Sequence, residues 1–255
     1  VRARRVPARQ LLSVVLVAAV VAAVAALAVA DRPEENDVPA VAAPGVLRVL
    51  PLGASSTVGV GSLGTAGYRL PLWERLTARG VRLDYVGSRN SGPDALPDGD
   101  HEGRSGWSAA RMASFVGGWV LAADPDVVLL HAGTNDLLAG ASARSTAQSL
   151  DRVLERIFAA APGTHVVMAG VWAPLPRQRA ARGELNTLLP QVAQRHRELG
   201  HSVEYADVSS LFPAGRTADG LHAGPLAYRE IAGMWAGRIE TWLDRRAARR
   251  LTRPA

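Results

Sequence analysis

The chain has no cysteine and no lysine; all 29 residues in its Lys+Arg count are arginine. Without a thiol there can be no disulfide, thiolate nucleophile, Cys-ligated zinc or iron–sulfur cluster. Without a lysine amine there can be no P-loop lysine, pyridoxal Schiff base or Ser-Lys dyad. Lysine is missing from a sequence rich in Ala, Arg, Gly, Val and Pro, which follows the composition of a GC-rich coding sequence. What remains, 255 residues of which 48% are apolar, suffices for one full α/β core and is too short for two large ones.

The net charge of +6 is unevenly placed. Residues 1–10 carry +4, residues 31–37 carry −3 and residues 244–255 carry +4, leaving +1 for residues 38–243. The high isoelectric point therefore belongs to the ends. The near-neutral centre lacks the basic footprint of a nucleic-acid binder, and no nucleic-acid partner is expected.

Residues 11–30 (LLSVVLVAAVVAAVAALAVA) form an uncharged run of 20, ~30 Å as a helix, the thickness of a bilayer core. The four arginines before it form a basic cytoplasmic segment, residues 1–10, which directs the downstream chain outward. The length favours an uncleaved transmembrane anchor. The small-residue pattern Ala28-Val29-Ala30 fits a signal peptide cleaved after Ala30. Both readings export the domain, as membrane-anchored or secreted protein. Residues 31–44 are acidic, contain proline and lack hydrophobic periodicity, as a linker does.

From residue 45 the pattern alternates. Apolar runs of strand length at 46–52, 82–87, 126–132, 165–171 and 203–208 are separated by helical-period stretches at about 66–79, 108–121, 144–160, 183–199 and 225–243. Such strands indicate a mostly parallel sheet covered on both faces, here with five strands. The Arg-rich tail, residues 244–255, reads as the polar end of the last helix, or as a contact for an anionic membrane surface or wall polymer.

In doubly wound sheets ligands bind beyond the carboxyl ends of the strands, and four polar clusters stand at such junctions. Gly53-Ala54-Ser55-Ser56 follows the first strand, where a tight turn can project a serine hydroxyl. Gly106 in Gly103-Arg104-Ser105-Gly106-Trp107-Ser108 lets the backbone approach a bound group. Asn135 in Gly133-Thr134-Asn135-Asp136 can donate to a developing oxyanion. Asp219 and His222, three residues apart before the last helix, can orient and charge a general base. Each cluster alone also reads as an ordinary turn or helix cap; their order and placement together carry the signal.

In this order of Ser, Gly, Asn and Asp-x-x-His, residues 46–243 resemble the SGNH hydrolases, the GDSL esterase/lipase family. The resemblance implies a flavodoxin-like three-layer α/β/α sandwich for an SGNH hydrolase domain at residues 45–243. It makes Ser55 the nucleophile, His222 the general base and Asp219 the residue that orients it. The Ser55 N–H, the Gly106 N–H and the Asn135 side chain would form the oxyanion hole. No metal or other cofactor is implied. The run GYRLPLWERLTARGVRLDYVGSRNSG with the DGDHEGRSGW downstream of it is similar to the carbohydrate-esterase branch that includes acetyl xylan esterases. One departure is plain: the family's Gly-Asp-Ser is here Gly53-Ala54-Ser55. That Asp is outside the triad, so hydrolysis should survive, without the hydrogen bonding it supplies around the nucleophile turn.

The expected activity is hydrolysis of short acyl esters, acetyl above all, on a small molecule or polysaccharide, by a monomer. A lipase, lysophospholipase or thioesterase is the alternative within the class, and a non-catalytic glycan-binding module the alternative outside it. Trp107 and His101, beside the Gly106 cluster, are the expected substrate contacts; Trp172 also sits beside a site loop. His131, inside an apolar strand, reads as a core histidine, and Asp136 as structural.

Overall fold

Apolar runs that alternate with amphipathic helices have only one economical burial: a sheet between two helical layers. The computed structural model shows this arrangement. It describes residues 45–62, 64, 66–172, 179–211 and 217–251, all within the unit Val41–Ala255. Segments 1–10, 11–30 and 31–44, and the last residues of the tail, 252–255, lie outside the described residues. No helix among the described residues is long and apolar enough to cross a membrane.

The order along the chain is β1 (Leu47–Gly53), α1 (Ser55–Val58), α2 (Arg69–Ala78), β2 (Leu83–Tyr85), β3 (Arg89–Asn90), β4 (Asp100–Gly103), α3 (Ala109–Met112) and α4 (Val116–Ala123). Then come β5 (Val127–His131), α5 (Thr134–Leu138), α6 (Ala143–Ala160), β6 (His165–Ala169), α7 (Arg179–Glu198), β7 (Ser202–Ala206), a 3₁₀ turn (Ser209–Leu211) and α8 (Pro225–Leu251). The sheet has seven strands in the order β3-β4-β1-β5-β6-β7, with β2 also on β1. The expectation of five is thus corrected. All pairs are parallel except β3 with β4. β2 pairs with Leu47–Val49 and β4 with Leu52–Gly53, so the two share one edge of β1 in succession. The two extra strands escape an apolar-run search because they are polar, Arg89-Asn90 and Asp100-His101-Glu102-Gly103.

The period of two along the central strands divides the core. Leu50 and Leu52, Val128 and Leu130, and Val166 and Met168 pack under residues of α3, α4, α6 and α7. Val49, Val127, Leu129 and Val167 point the other way, to Leu72 and Leu76 of α2 and to Tyr228, Ile231 and Trp235 of α8. Helix α6 shows the sequence logic: Leu150, Val153, Leu154, Ile157 and Phe158 are buried at helical spacing, and the Ser142 side chain accepts from the Ser145 N–H (3.1 Å) as its N-cap. The expected helix at 108–121 is instead two, α3 and α4, parted at Ala113–Phe115, where the Ser114 and Phe115 N–H groups bond three residues back.

Of the charged residues buried in the fold, Arg69, Glu102 and Asp136, the arginine makes the widest set of bonds. Arg69, the first residue of α2, is 0% exposed. Its guanidinium donates to the carbonyls of Thr57 (3.0 Å), Ser91 (2.8 Å), Gly99 (2.8 Å) and Val58 (3.3 Å) and to Ser91 Oγ (3.2 Å). It thereby fastens the turn after β1 to both ends of the loop joining β3 to β4. Removing a buried donor leaves each acceptor desolvated and unpaired. Arg69→Met is expected to cost about 3–5 kcal/mol of unfolding free energy in denaturant titration; a loss below about 1 kcal/mol would contradict this role.

Candidate active site

Parallel strands bring their carboxyl ends to one edge, and β1 and β5 meet there as neighbours, Gly53 opposite His131. A Cβ on Gly53 would lie 2.3 Å from the His131 carbonyl oxygen and 2.5 Å from Thr57 Oγ1. Only glycine permits that approach. The chain then turns through Ala54 into α1, whose first residue is Ser55. The turn is tied by hydrogen bonds from the Thr57 and Val58 N–H groups to the Ala54 carbonyl (3.1 and 3.2 Å).

The loop before α8 meets this turn. Ser55 Oγ is 2.9 Å from His222 Nε2, and His222 Nδ1 is 2.7 Å from Asp219 Oδ2. The other Asp219 oxygen accepts from the Leu221 and His222 N–H groups (3.0 and 2.7 Å), which fixes the carboxylate against its own loop. The side-chain hydrogen bond with His222, first among several, holds the Asp219 carboxyl down to about 2, so it is ionised at any working pH. With Asp219 Oδ2 accepting at Nδ1–H, Nε2 of a neutral His222 is the acceptor facing the serine. The loop is held from the sheet by Trp172, whose Nε1–H donates to the Leu221 carbonyl (3.0 Å).

A cavity of about 20 Å³ lies over these atoms, lined by Ala54, Ser55, Ser56, His131, Ala132, Thr134, Asn135, Trp172, Leu221 and His222. Asn135 is on α5, which begins behind Gly133 in the left-handed region at φ 110°. One Asn135 amide hydrogen is used on the Trp107 carbonyl (2.8 Å); a primary amide has a second to give. Gly106 is exposed, at φ 79°, in the turn closed by the Trp107 N–H on the Arg104 carbonyl (3.1 Å), and is not among the residues lining the cavity. The Asn135 bond nonetheless fastens that turn to the cavity wall.

Two expected substrate contacts are placed otherwise. His101 is 2% exposed, with Nε2 2.7 Å from Ser91 Oγ and Nδ1 accepting from the Gly103 N–H (2.8 Å). Both ring nitrogens are engaged inside the fold, which corrects its assignment as a sugar contact. Trp107 is half-buried outside the cavity, packed against Phe115 and Trp119 with the Arg111 guanidinium 3.8 Å over its ring. Asp136 is structural: buried, it accepts from the Ala109 N–H (2.8 Å) and caps α3.

Sequence reasoning missed a second serine–histidine pair. Ser56 Oγ is 2.9 Å from His131 Nδ1, and both residues are buried. His131 has a Trp172 ring at 4.4 Å and, among the described residues, no carboxylate against it. Its neighbourhood in an apolar strand gave no sign that it also reaches the cavity wall.

A serine, imidazole and carboxylate in line at the strand ends are the arrangement of the serine hydrolases. The particular membership comes from comparison. The model of the GDSL-like lipase/acylhydrolase family matches residues 52–230, from the end of β1 into α8. The chain belongs to that family. A family 3 carbohydrate esterase of Clostridium thermocellum is 34% identical, with TM-score 0.67 over 74% of this chain and 93% of that one. A family 3 carbohydrate esterase from Talaromyces cellulolyticus is 28% identical, with TM-score 0.68 over 78% of this chain and 99% of that one. A multidomain esterase of Ruminococcus flavefaciens is 26% identical over 83% of this chain. The chain spans 56% and 31% of the lengths of the two curated relatives it matches.

Burial lowers the proton affinity of two histidines of this region, His101 to about 3, with Arg69, Arg89 and Arg104 adding to the effect, and His131 to about 4. An unfolded histidine takes its proton near pH 6.5. The folded state therefore binds fewer protons below that pH, and stability present above about 6.5 is lost as the pH falls toward 4. Denaturant unfolding at about pH 4.5 is expected to give a stability lower than at pH 7 by on the order of 5 kcal/mol, about half from each histidine; a flat profile would contradict neutral buried imidazoles.

Proposed function

We propose that this domain hydrolyses short acyl esters, acetyl foremost, carried on carbohydrate. The observation that carries the reading is the unbroken line Ser55 Oγ, His222, Asp219 at 2.9 and 2.7 Å. In the reaction Ser55 Oγ attacks the ester carbonyl carbon while its proton passes to His222 Nε2. The carbonyl oxygen becomes an oxyanion held by the Ser55 N–H, the Gly106 N–H and the second Asn135 amide hydrogen. Collapse breaks the bond to the alcohol, which leaves with the proton from His222. Water, giving a proton to His222, then attacks the acyl-serine, and the acid and the free serine are regenerated. Asp219 stays ionised, orients the imidazole and offsets its transient charge.

The size of the cavity supports a short acyl group. About 20 Å³ between Ala54, His131 and Trp172 is little more than one water-sized group occupies, since about 10–15 Å³ admits one water. Among the described residues the cavity holds too little space for a long chain, which leaves the alcohol outside it. The similarity to two family 3 carbohydrate esterases supports a sugar as that alcohol. The apolar run at 11–30 and the basic segment before it support export of the domain.

Two measurements check this. On p-nitrophenyl esters from acetate to palmitate, turnover is expected to fall steeply beyond butyrate and to vanish in Ser55→Ala with folding intact; turnover rising with chain length, or retained in the variant, would overturn the reading. Asn135→Ala is expected to lower kcat ~10²–10³-fold. A kcat within about threefold of the parent would remove Asn135 from the oxyanion hole.

A further inference from the structure

A groove of about 810 Å³ opens at the other end of the sheet. His165 and Ser202, which line it, are the first residues of β6 and β7, whereas Ser55 and Asn135 lie just past the last residues of β1 and β5. The groove is thus separated from the catalytic edge by the length of the strands. Its walls bring together Arg197 from the end of α7 and Arg245, Arg246 and Arg249 from the end of α8, against the single carboxylate of Glu204.

The arrangement on α8 is specific. Trp242, Arg245, Arg246 and Arg249 stand at i, i+3, i+4 and i+7, one face of the helix. That face continues the stripe which, further back, buries Tyr228, Ile231, Trp235 and Ile239 in the core. Arginines that only offset the dipole of a helix end have no need to share a face. Two acids that reach these side chains are already engaged: Glu204 pairs with Arg238 (3.1 Å) and His165 (3.2 Å), and Asp126 with Arg246 (3.2 Å). Arg197 gives one long bond, to the Val203 carbonyl (3.3 Å). The Arg245 guanidinium has no ion pair or hydrogen bond with another described residue.

We propose that this groove binds a phosphate group. Guanidinium groups arriving from two helices suit a tetrahedral anion with several oxygens, where a planar carboxylate would be satisfied by one. The volume lies in the range of small-ligand sites, about 300–1,000 Å³, so it accommodates a phosphate together with the group that carries it. The phosphate has two sources, a soluble phosphate compound or the headgroup of an anionic lipid.

The test is hydrogen exchange of segments 197–204 and 242–249 in the full chain and in an R245E/R249E variant, whose two positions are exposed. In neutral detergent, inorganic phosphate is expected to slow exchange in both segments about tenfold, saturably, while sodium chloride of equal ionic strength does not. Loss of that response in the variant supports a soluble-phosphate site. Protection by phosphatidylglycerol vesicles and not by phosphatidylcholine vesicles, lost in the variant, with no response to inorganic phosphate, supports the lipid headgroup. No protection from either, or the same protection in the variant, overturns the proposal. Ester hydrolysis is read separately and is expected to be the same in both proteins, so failure here and failure of the catalytic reading are distinguishable.

Discussion

The guanidinium of Arg69 is the constraint on which the geometry of the catalytic edge depends. It holds the carbonyls of Thr57 and Val58, the last turn of the short helix that begins at Ser55, and through Ser91 it reaches His101. His101 accepts from the Gly103 N–H, and Gly103 stands opposite Gly53 in the sheet. A closed ring of polar contacts therefore surrounds the nucleophile turn. Because the Gly103 N–H occupies Nδ1, the imidazole must carry its proton on Nε2 and donate it to Ser91 Oγ, the neutral state that burial and three neighbouring arginines enforce. A helix of four residues has little stability of its own; this ring supplies the order.

Two serine–histidine pairs stand side by side in the cavity, and physical chemistry separates them. Ser56 and His131 are sealed in the core, where a backbone hydrogen bond at Gly170 only partly offsets the burial of the imidazole. Burial drives that imidazole toward its neutral form and among the described residues no carboxylate offsets a charge on it, so it is a poor proton acceptor. His222, by contrast, has the Asp219 carboxylate at 2.7 Å and retains 17% side-chain exposure. The two pairs thus differ in a carboxylate and in exposure, and the Ser55–His222 pair has both. Ala54, where the family has Asp, is 6% exposed and packs with Leu52, Met112 and Leu130 in the apolar cluster. The turn is held by its backbone bonds and by Arg69 instead.

Much of this was legible in the sequence because its cause is local. Alternating apolar strands and amphipathic helices determine the layers, and Gly53, Gly133 and the Asp219-x-x-His222 spacing reflect backbone geometry within a few residues. What was not legible rests on long-range pairing. β3 and β4 are polar and gain their order from partners across the sheet and from Glu102, which accepts from the Ser88 N–H. His101 resembled a surface residue in the polar segment DGDHEG, yet it is buried by that same pairing. The core arginine is invisible to hydrophobic periodicity, and so is the convergence of arginines 48 residues apart in sequence, Arg197 and Arg245, on one groove.

The central claim is that Ser55 alone is activated, by His222. Treatment of the full chain with a fluorophosphonate, with the modified peptide then mapped by mass spectrometry, tests it most directly. The account predicts one adduct, on Ser55, absent from the His222→Ala protein and still formed when His131 is replaced by Gln. An adduct on Ser56, or labelling of Ser55 that persists without His222, would contradict it.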